Sequence, residues 1–198
     1  MIDSKAISDA LKRIASHTAA ASEELCAADG ALGDGDLGIT VSKGFEEAAA
    51  AELPDDVGMA LFEIAKAFQR VSSSSYGTLL ATGFMAAAKL EKGKSRIEPE
   101  EISGLVAAAR DAMMARGKGN LGDKTVLDSL DALAGALKEA PPHAMVQAAK
   151  NAVSQTVDTF RVRPNKLGRA RMFGEKSKGL ADPGQLAFLR IVEGLDNA

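Results

Sequence analysis

The chain has 198 residues, 46% hydrophobic and 26% charged, with a formal net charge of -3. That length fits a single domain spanning residues 1–198 with one sizeable core, and the acidic balance argues against a dedicated nucleic-acid binder. No apolar run approaches the ~20 residues that cross a bilayer, and a lone cysteine, Cys26, excludes an internal disulfide.

Apolar residues recur at spacings of three and four, which predicts helices throughout. Alanine is abundant and aromatics are 4%, a bias that favours helix because alanine loses no side-chain entropy there. The N-terminus lacks a basic-then-apolar signal pattern, and a cytoplasmic protein is the expectation. The first helix is predicted over Ser4 to Ala28, with Ile7, Leu11, Ile14 and Leu25 inward and Cys26 as a buried thiol. The next ten residues, Asp29 to Gly38, hold four glycines and three aspartates and are predicted as a non-helical loop. A second helix is expected from Ile39 to Ala51, followed by a turn at Leu53 to Asp56 that caps a helix over Val57 to Val71. There Leu61, Ile64, Ala65 and Phe68 face inward. The run Ser72 to Gly77 interrupts, and a strongly apolar helix resumes from Thr78 to Leu90.

A charged link, Glu91 to Ile97, leads to a helix near Pro99 that reaches Arg116, proline being tolerated in a first turn. Gly117 to Gly122 is a second glycine-rich break, after which Asp123 opens a helix to Glu139. Pro141 and Pro142 start another, ending at Phe160. Arg161 to Lys178 carries seven basic residues against Glu175 and reads as irregular. Asp182-Pro183 reads as an N-cap with proline at the first helical position, leading into a last helix from Gly184 to Leu195. No alternating strand pattern is evident. The tally is about eight helices packed as a bundle or helical barrel.

The strongest chemical signal is Asp29, Asp34 and Asp36. Three carboxylates on one short loop repel one another unless a cation neutralises them. Oxygen ligands suit Mg²⁺ or Ca²⁺ rather than Zn²⁺; the competing reading is a solvated acidic turn. The serine-rich turn before Gly77 offers hydroxyl and N–H groups to a phosphate at a helix start, or is a simple N-cap. Gly117…Gly122-Asp123-Lys124-Thr125 is a second glycine-rich helix entry. Asp123 breaks the G-x-x-x-x-G-K-[ST] order and no strand precedes it, so it is not a P-loop. The basic stretch from Arg161 is either a third anion-binding segment or a solvated loop. His17 and His143 form no catalytic pair, and no covalent nucleophile stands out.

Taken in order, Asp29-x-x-x-Gly33-Asp34-x-Asp36-x-Gly38, Gly77-x-Leu79, Gly122-Asp123-Lys124-Thr125-x-x-Asp128, Gly168-Arg169-Ala170, Gly174-Glu175-x-Ser177-x-Gly179 and Asp182-Pro183-Gly184 resemble the L subunit, or L domain, of the dihydroxyacetone kinases. The resemblance implies an all-α barrel of about eight antiparallel helices with ADP or ATP at one end. It implies two Mg²⁺ ions on Asp29, Asp34 and Asp36. It also implies a nucleotide pocket formed by Leu37, Gly38, Ile39, Thr40, Ser75, Tyr76, Gly117, Val126, Arg169, Asp182, Pro183 and Gly184. Arg169 and Lys176 would offset charge on the terminal phosphoryl group. A separate K-type subunit would hold dihydroxyacetone or a related short ketose, with a phosphotransferase-system M-type subunit as a further partner in one branch of the family. A non-catalytic nucleotide-sensing module is the alternative. The chain departs from the family pattern at Leu37, where many members have His, at Tyr76, where a small Ser is usual, and at Lys176, where Arg is common.

Overall fold

Asp3 starts the first helix by accepting the Ala6 N–H at 2.9 Å, the usual way a side-chain oxygen satisfies an otherwise orphaned helix donor. The computed structural model describes residues 1–71 and 74–196, so Ser72 and Ser73 of the serine run lie outside the described residues. Nine α-helices occur among the described residues: α1 (Ser4–Ala20), α2 (Ser22–Leu32), α3 (Leu37–Ala50), α4 (Val57–Val71), α5 (Ser75–Glu91), α6 (Ile102–Gly117), α7 (Val126–Glu139), α8 (Met145–Phe160) and α9 (Pro183–Glu193). Short 3₁₀ turns precede α6 at Pro99–Glu101 and α8 at Pro142–Ala144, and a longer one spans Arg169–Ser177. The all-α expectation holds, apart from two-residue strands β1 (Ile2–Asp3) and β2 (Arg96–Ile97), which pair antiparallel.

Neighbours in space follow neighbours in sequence. α3 packs on α4, α4 on α5, and so on to α8 on α9; α9 packs on α1, and α1 on α3. Short links make consecutive helices run in opposite directions. The inward stripes merge into one apolar cluster that includes Leu11, Ile14, Leu25, Phe45, Ile64, Phe68, Leu130 and Val153. Phe68 meets Phe45 edge-on at a centroid distance of 5.0 Å and stacks on Phe84 at 6.0 Å. A Cβ on Gly44 would run into the Phe68 ring, so only glycine lets α3 and α4 approach this closely. No helix is long and apolar enough to cross a membrane among the described residues.

Several boundaries differ from expectation for identifiable reasons. The expected helix from Ser4 to Ala28 is two segments meeting at Ala21. Thr18 in the last turn of α1 donates its hydroxyl to the Ile14 carbonyl at 2.8 Å, a back-bond that bends helices. α2 then continues through Asp29 and Gly30 to Leu32, although both residues were expected in a loop. Its fully buried Leu25 and Leu32 anchor it, so packing outweighs glycine's ~1 kcal/mol propensity cost. α5 begins at Ser75 rather than Thr78, because Ser74 caps it by accepting the Gly77 N–H at 3.1 Å. α7 begins at Val126 rather than Asp123, because Thr125 and Asp128 form a capping box. The stretch from Arg161 is less irregular than expected: Arg169–Ser177 is a 3₁₀ segment, kinked at Gly174.

Candidate functional site

The alternating helix directions bring four N-termini to one end of the molecule. Leu37 opens α3, Ser75 and Tyr76 open α5, Val126 opens α7, and Pro183 opens α9; all of them line one cavity of about 550 Å³. Each N-terminus carries partial positive charge from its aligned peptide dipoles, so this end favours an anion. Leu32 from α2, Met113, Arg116 and Gly117 from the end of α6, and the Leu167–Ala170 segment complete the wall.

The acidic corner sits at this same cavity. Asp29, Asp34 and Asp36 each present a carboxylate oxygen, and these atoms lie within 4.8 Å of one another. Their roles in the fold are unequal. Asp29, half-buried near the end of α2, uses Oδ2 to accept three backbone N–H groups: Gly35 at 2.9 Å, Asp36 at 3.1 Å and Leu37 at 3.3 Å. One carboxylate oxygen thus folds the Gly-rich turn and caps α3 from outside its own segment. Gly35 adopts φ +79° to make that turn, a conformation glycine enters without steric cost. Asp34 and Asp36 are exposed. Three hard oxygen donors with spare lone pairs fit Mg²⁺, which keeps several of its own waters and takes only a few protein carboxylates. The loop has no cation of its own, as its sequence requires. The chain brings one from far away, however: the Arg169 guanidinium pairs with Asp34.

Tyr76 and Asp182 line the same cavity. The Tyr76 hydroxyl donates to the Gly184 carbonyl at 3.0 Å, and burial pushes its phenol well above the usual range. Asp182 Oδ1 accepts the Gln185 N–H at 2.8 Å, capping α9, and its Oδ2 accepts from Asn165 Nδ2 at 2.7 Å. Burial pushes the Asp182 carboxyl up to about 6, against the pull of these hydrogen bonds and of Lys124. Asp128, also buried, holds the turn ahead of α7 by accepting from Gly122 N at 2.5 Å and Thr125 N at 2.8 Å.

Of the residues expected at a nucleotide site, Leu37, Ser75, Tyr76, Gly117, Val126, Arg169, Asp182, Pro183 and Gly184 line the cavity together with Asp29, Asp34 and Asp36. Gly38, Ile39 and Thr40 are not among the lining residues. They lie within the first turn of α3, and Gly38 is pressed against the Ser22 carbonyl and Cys26 Sγ of α2. Cys26, expected as a buried thiol, is half-buried. Lys176 is exposed and outside the lining. His17 stands 3.4 Å from Glu193, and His143 occupies the 3₁₀ turn before α8; neither lines the cavity. Thr78, Met113, Arg116, Leu127 and Leu167 line it without having been singled out in the sequence. Their signal was only that they flank or follow the helix breaks. Lys124 does not point into the cavity as a P-loop lysine would: its ammonium is spent on backbone carbonyls at 161–180.

A family model described as the DAK2 domain matches residues 31–197. The chain is 28% identical over 181 residues to the PEP-dependent dihydroxyacetone kinase, ADP-binding subunit DhaL, of Escherichia coli, covering 87% of this chain and 86% of that protein. It is 30% identical over 181 residues to an L-erythrulose kinase of Pectobacterium atrosepticum, covering 86% of this chain but 30% of that one. Among solved structures, the native dihydroxyacetone kinase of C. freundii superposes with a TM-score of 0.78 at 23% identity, over 96% of this chain and 33% of that chain. The same enzyme in complex with AMP-PNP and Mg²⁺ superposes with a TM-score of 0.74 at 25% identity, over 95% of this chain and 33% of that chain. The chain thus spans most of the separate ADP-binding subunit and about a third of the longer kinases.

Proposed function

Since this chain belongs to the DAK2 domain family, we propose that it is the Mg-nucleotide-carrying subunit of a kinase for dihydroxyacetone or a related short ketose. The observation that carries this reading is the acidic triad, with its oxygens within 4.8 Å, set at a cavity that receives four helix N-termini. A nucleoside diphosphate or triphosphate needs that combination: oxygen ligands for its cations and dipoles for its phosphates. In this reading residues 1–198 act as one domain, an eight-membered ring of helices closed by α9 on α1, with the nucleotide at one end.

Asp29 Oδ1, Asp34 and Asp36 would hold two Mg²⁺ ions. When bound, Mg²⁺ offsets phosphate charge and stabilises the oxygens of an in-line displacement. The chain's own residues do the rest by positioning, which is how phosphoryl transfer is generally catalysed. Leu37, Ser75, Tyr76, Gly117, Val126 and Asp182 to Gly184 enclose the nucleotide. Arg169, released from Asp34, turns its guanidinium to the terminal phosphoryl group and neutralises charge as it leaves. Lys176 stands outside the cavity wall, so the step is assigned to Arg169 alone in this reading. In this reading the acceptor hydroxyl comes from a ketose held by a separate K-type subunit, as the likeness to a separate ADP-binding subunit supports. The phosphoryl donor is either exchanging ATP or a phosphotransferase-system M-type subunit acting on resident ADP. Similarity to both dihydroxyacetone and L-erythrulose kinases supports a three- or four-carbon ketose. Such a partnership belongs in the cytoplasm.

The test is ADP binding by calorimetry in Mg²⁺ and in EDTA, with Asp34→Ala and Asp36→Ala alongside. Strong binding in Mg²⁺, lost in EDTA and in both variants while helical content is kept, is the expected outcome. Equal affinity in Mg²⁺ and EDTA refutes the reading.

A further inference from the structure

Lys124 is the one lysine with 0% of its surface exposed, and no carboxylate forms a salt bridge with it among the described residues. Burying an ammonium without a partner is costly, so the compensation must lie elsewhere. It lies in backbone. Lys124 Nζ donates to the carbonyls of Arg163, Ser177 and Leu180, each at 2.9 Å, with the Arg161 carbonyl at 3.5 Å. An ammonium has three N–H donors, and all three are spent on the two stems of one loop: residues 161–163 on the way in, 177–180 on the way out.

The backbone of the same turn grips the loop again. Lys124 adopts φ 62°, a left-handed conformation that costs a non-glycine residue about 1–2 kcal/mol and is kept where the surroundings over-determine it. In that conformation its carbonyl accepts from Asn165 Nδ2 at 2.9 Å, and the Asp123 carbonyl accepts from Lys166 N at 3.0 Å. Asn165 N donates to Ser177 Oγ at 2.9 Å, and that hydroxyl donates to the Gly174 carbonyl at 2.6 Å. The Asn165 amide also reaches Asp182 at 2.7 Å. One buried network therefore joins three walls of the cavity: the entry to α7, the entry to α9, and the segment carrying Arg169. Between these anchors the segment forms the 3₁₀ turn Arg169–Ser177, with Ala170 buried. Gly168 and Gly174 have positive φ of 67° and 49° and flank the exposed Arg169.

We propose that Lys124 is a positioning residue, which sets Arg169 against the acidic corner and the phosphates by tying both stems of the Arg169 loop to the helix that opens at Val126. The proposal rests on the reading of this cavity as an Mg-nucleotide site with Arg169 as a phosphate contact. Lys124 touches neither nucleotide nor metal; it acts through Arg169.

The experiment is a double-mutant cycle on MgADP affinity, using the full chain. Lys124→Met keeps length and apolar bulk but removes every donor. Arg169→Ala removes the contact being positioned. Each single variant is expected to weaken MgADP roughly 10-fold or more, the cost of one charge-assisted hydrogen bond. The double variant is expected to bind within about twofold of the weaker single variant, because independent effects would add and these share one contact. Hydrogen exchange is expected to accelerate in Lys124→Met over residues 166–176 while α4 to α6 stay unchanged. Should Lys124→Met not fold, Lys124→Gln, which keeps two N–H donors on a shorter stem, enters the same cycle. Additive losses, or unchanged affinity with Lys124 altered, overturn the proposal and leave Lys124 a staple of the fold. A silent Arg169→Ala instead overturns the reading of the site, so the two failures are distinct.

Discussion

Asp29 differs from its two acidic neighbours in a way that thermal stability alone reports. Its Oδ2 accepts three N–H groups at 2.9, 3.1 and 3.3 Å, whereas Asp34 and Asp36 stand exposed. Hydrogen bonds to a charged group contribute about 1.5–3 kcal/mol. The longest of the three is weak, and the half-exposed site lets water replace part of the rest. A net loss of about 2–3 kcal/mol is therefore expected on Asp29→Ala. For a domain of this size each kcal/mol moves Tm by ~2–4 °C, so Asp29→Ala should melt roughly 5–10 °C lower. Asp34→Ala and Asp36→Ala should stay within about ±0.5 kcal/mol, as exposed substitutions do. Asp29→Asn keeps an acceptor oxygen and should recover much of the loss. The melts are run in EDTA, followed by circular dichroism, so that no metal contributes. Equal melting of Asp29→Ala and Asp34→Ala would show that the Gly-rich turn holds itself and that the three N–H groups gain nothing from the carboxylate.

Arg169→Ala should act with opposite signs on two ligands. Removing a competing cation from Asp34 raises affinity for Mn²⁺ alone by up to about fivefold, the worth of an exposed ion pair, while affinity for MgADP falls about 10- to 100-fold; calorimetry with each ligand separates the two, and changes of the same sign would contradict the pairing. Asp182 gives a pH signature. Its buried carboxyl, pushed up to about 6, holds a proton in the folded state at pH values where the unfolded chain has lost it. Stability therefore falls as pH rises between about 4 and 6, by about 1–3 kcal/mol. Asp182→Asn should flatten that slope in urea melts across the window, and an unchanged slope would assign it to another group. Finally, the purified chain alone should not phosphorylate dihydroxyacetone with ATP, and turnover should appear on adding a K-type subunit; robust turnover by the chain alone would reveal an acceptor site that this cavity does not explain.

Helix content was legible because it is local: alanine enrichment and three-four spacing placed α4 over Val57–Val71 and α9 after the Asp182-Pro183 cap. The acidic triad was legible for the same reason, since its members lie within eight residues of sequence. What local reading missed depends on distant partners. Asp29 and Gly30 look like loop residues until α2 is seen buried against α3 and α9. Arg169 and Asp34 are far apart in the chain, and nothing short-range announces their pairing. Lys124 was visible as a member of the Gly122-Asp123-Lys124-Thr125 motif, but its burial was not, because its carbonyl partners at 161–180 carry no side-chain signature. The basic stretch reads as an irregular segment, either anion-binding or solvated, and neither alternative announces that Asn165 and Ser177 inside it are buried.

The acidic corner and the Arg169 segment are anchored in different ways, and that difference bears on how a charged ligand would enter. The acidic corner is fixed: Asp29 is tied to three amides, and α3 begins directly after Asp36. An unaccompanied polyphosphate approaching it meets two exposed carboxylates, and two like charges 4 Å apart repel by ~4 kcal/mol at an effective dielectric near 20. Helix N-termini return only about 0.3–1 kcal/mol each at exposed sites, so dipoles alone barely offset the repulsion. In the proposed reading, cations would therefore arrive with the phosphates or before them. Arg169 is the cation the chain supplies meanwhile, and it sits on a segment between two positive-φ glycines. In the proposed reading, cations that took over Asp34 would free the guanidinium, and the incoming phosphate would become its nearest anion. The stems held by Lys124 would keep that exchange local, so that one arginine would serve the empty acidic corner and the filled one without rebuilding either wall.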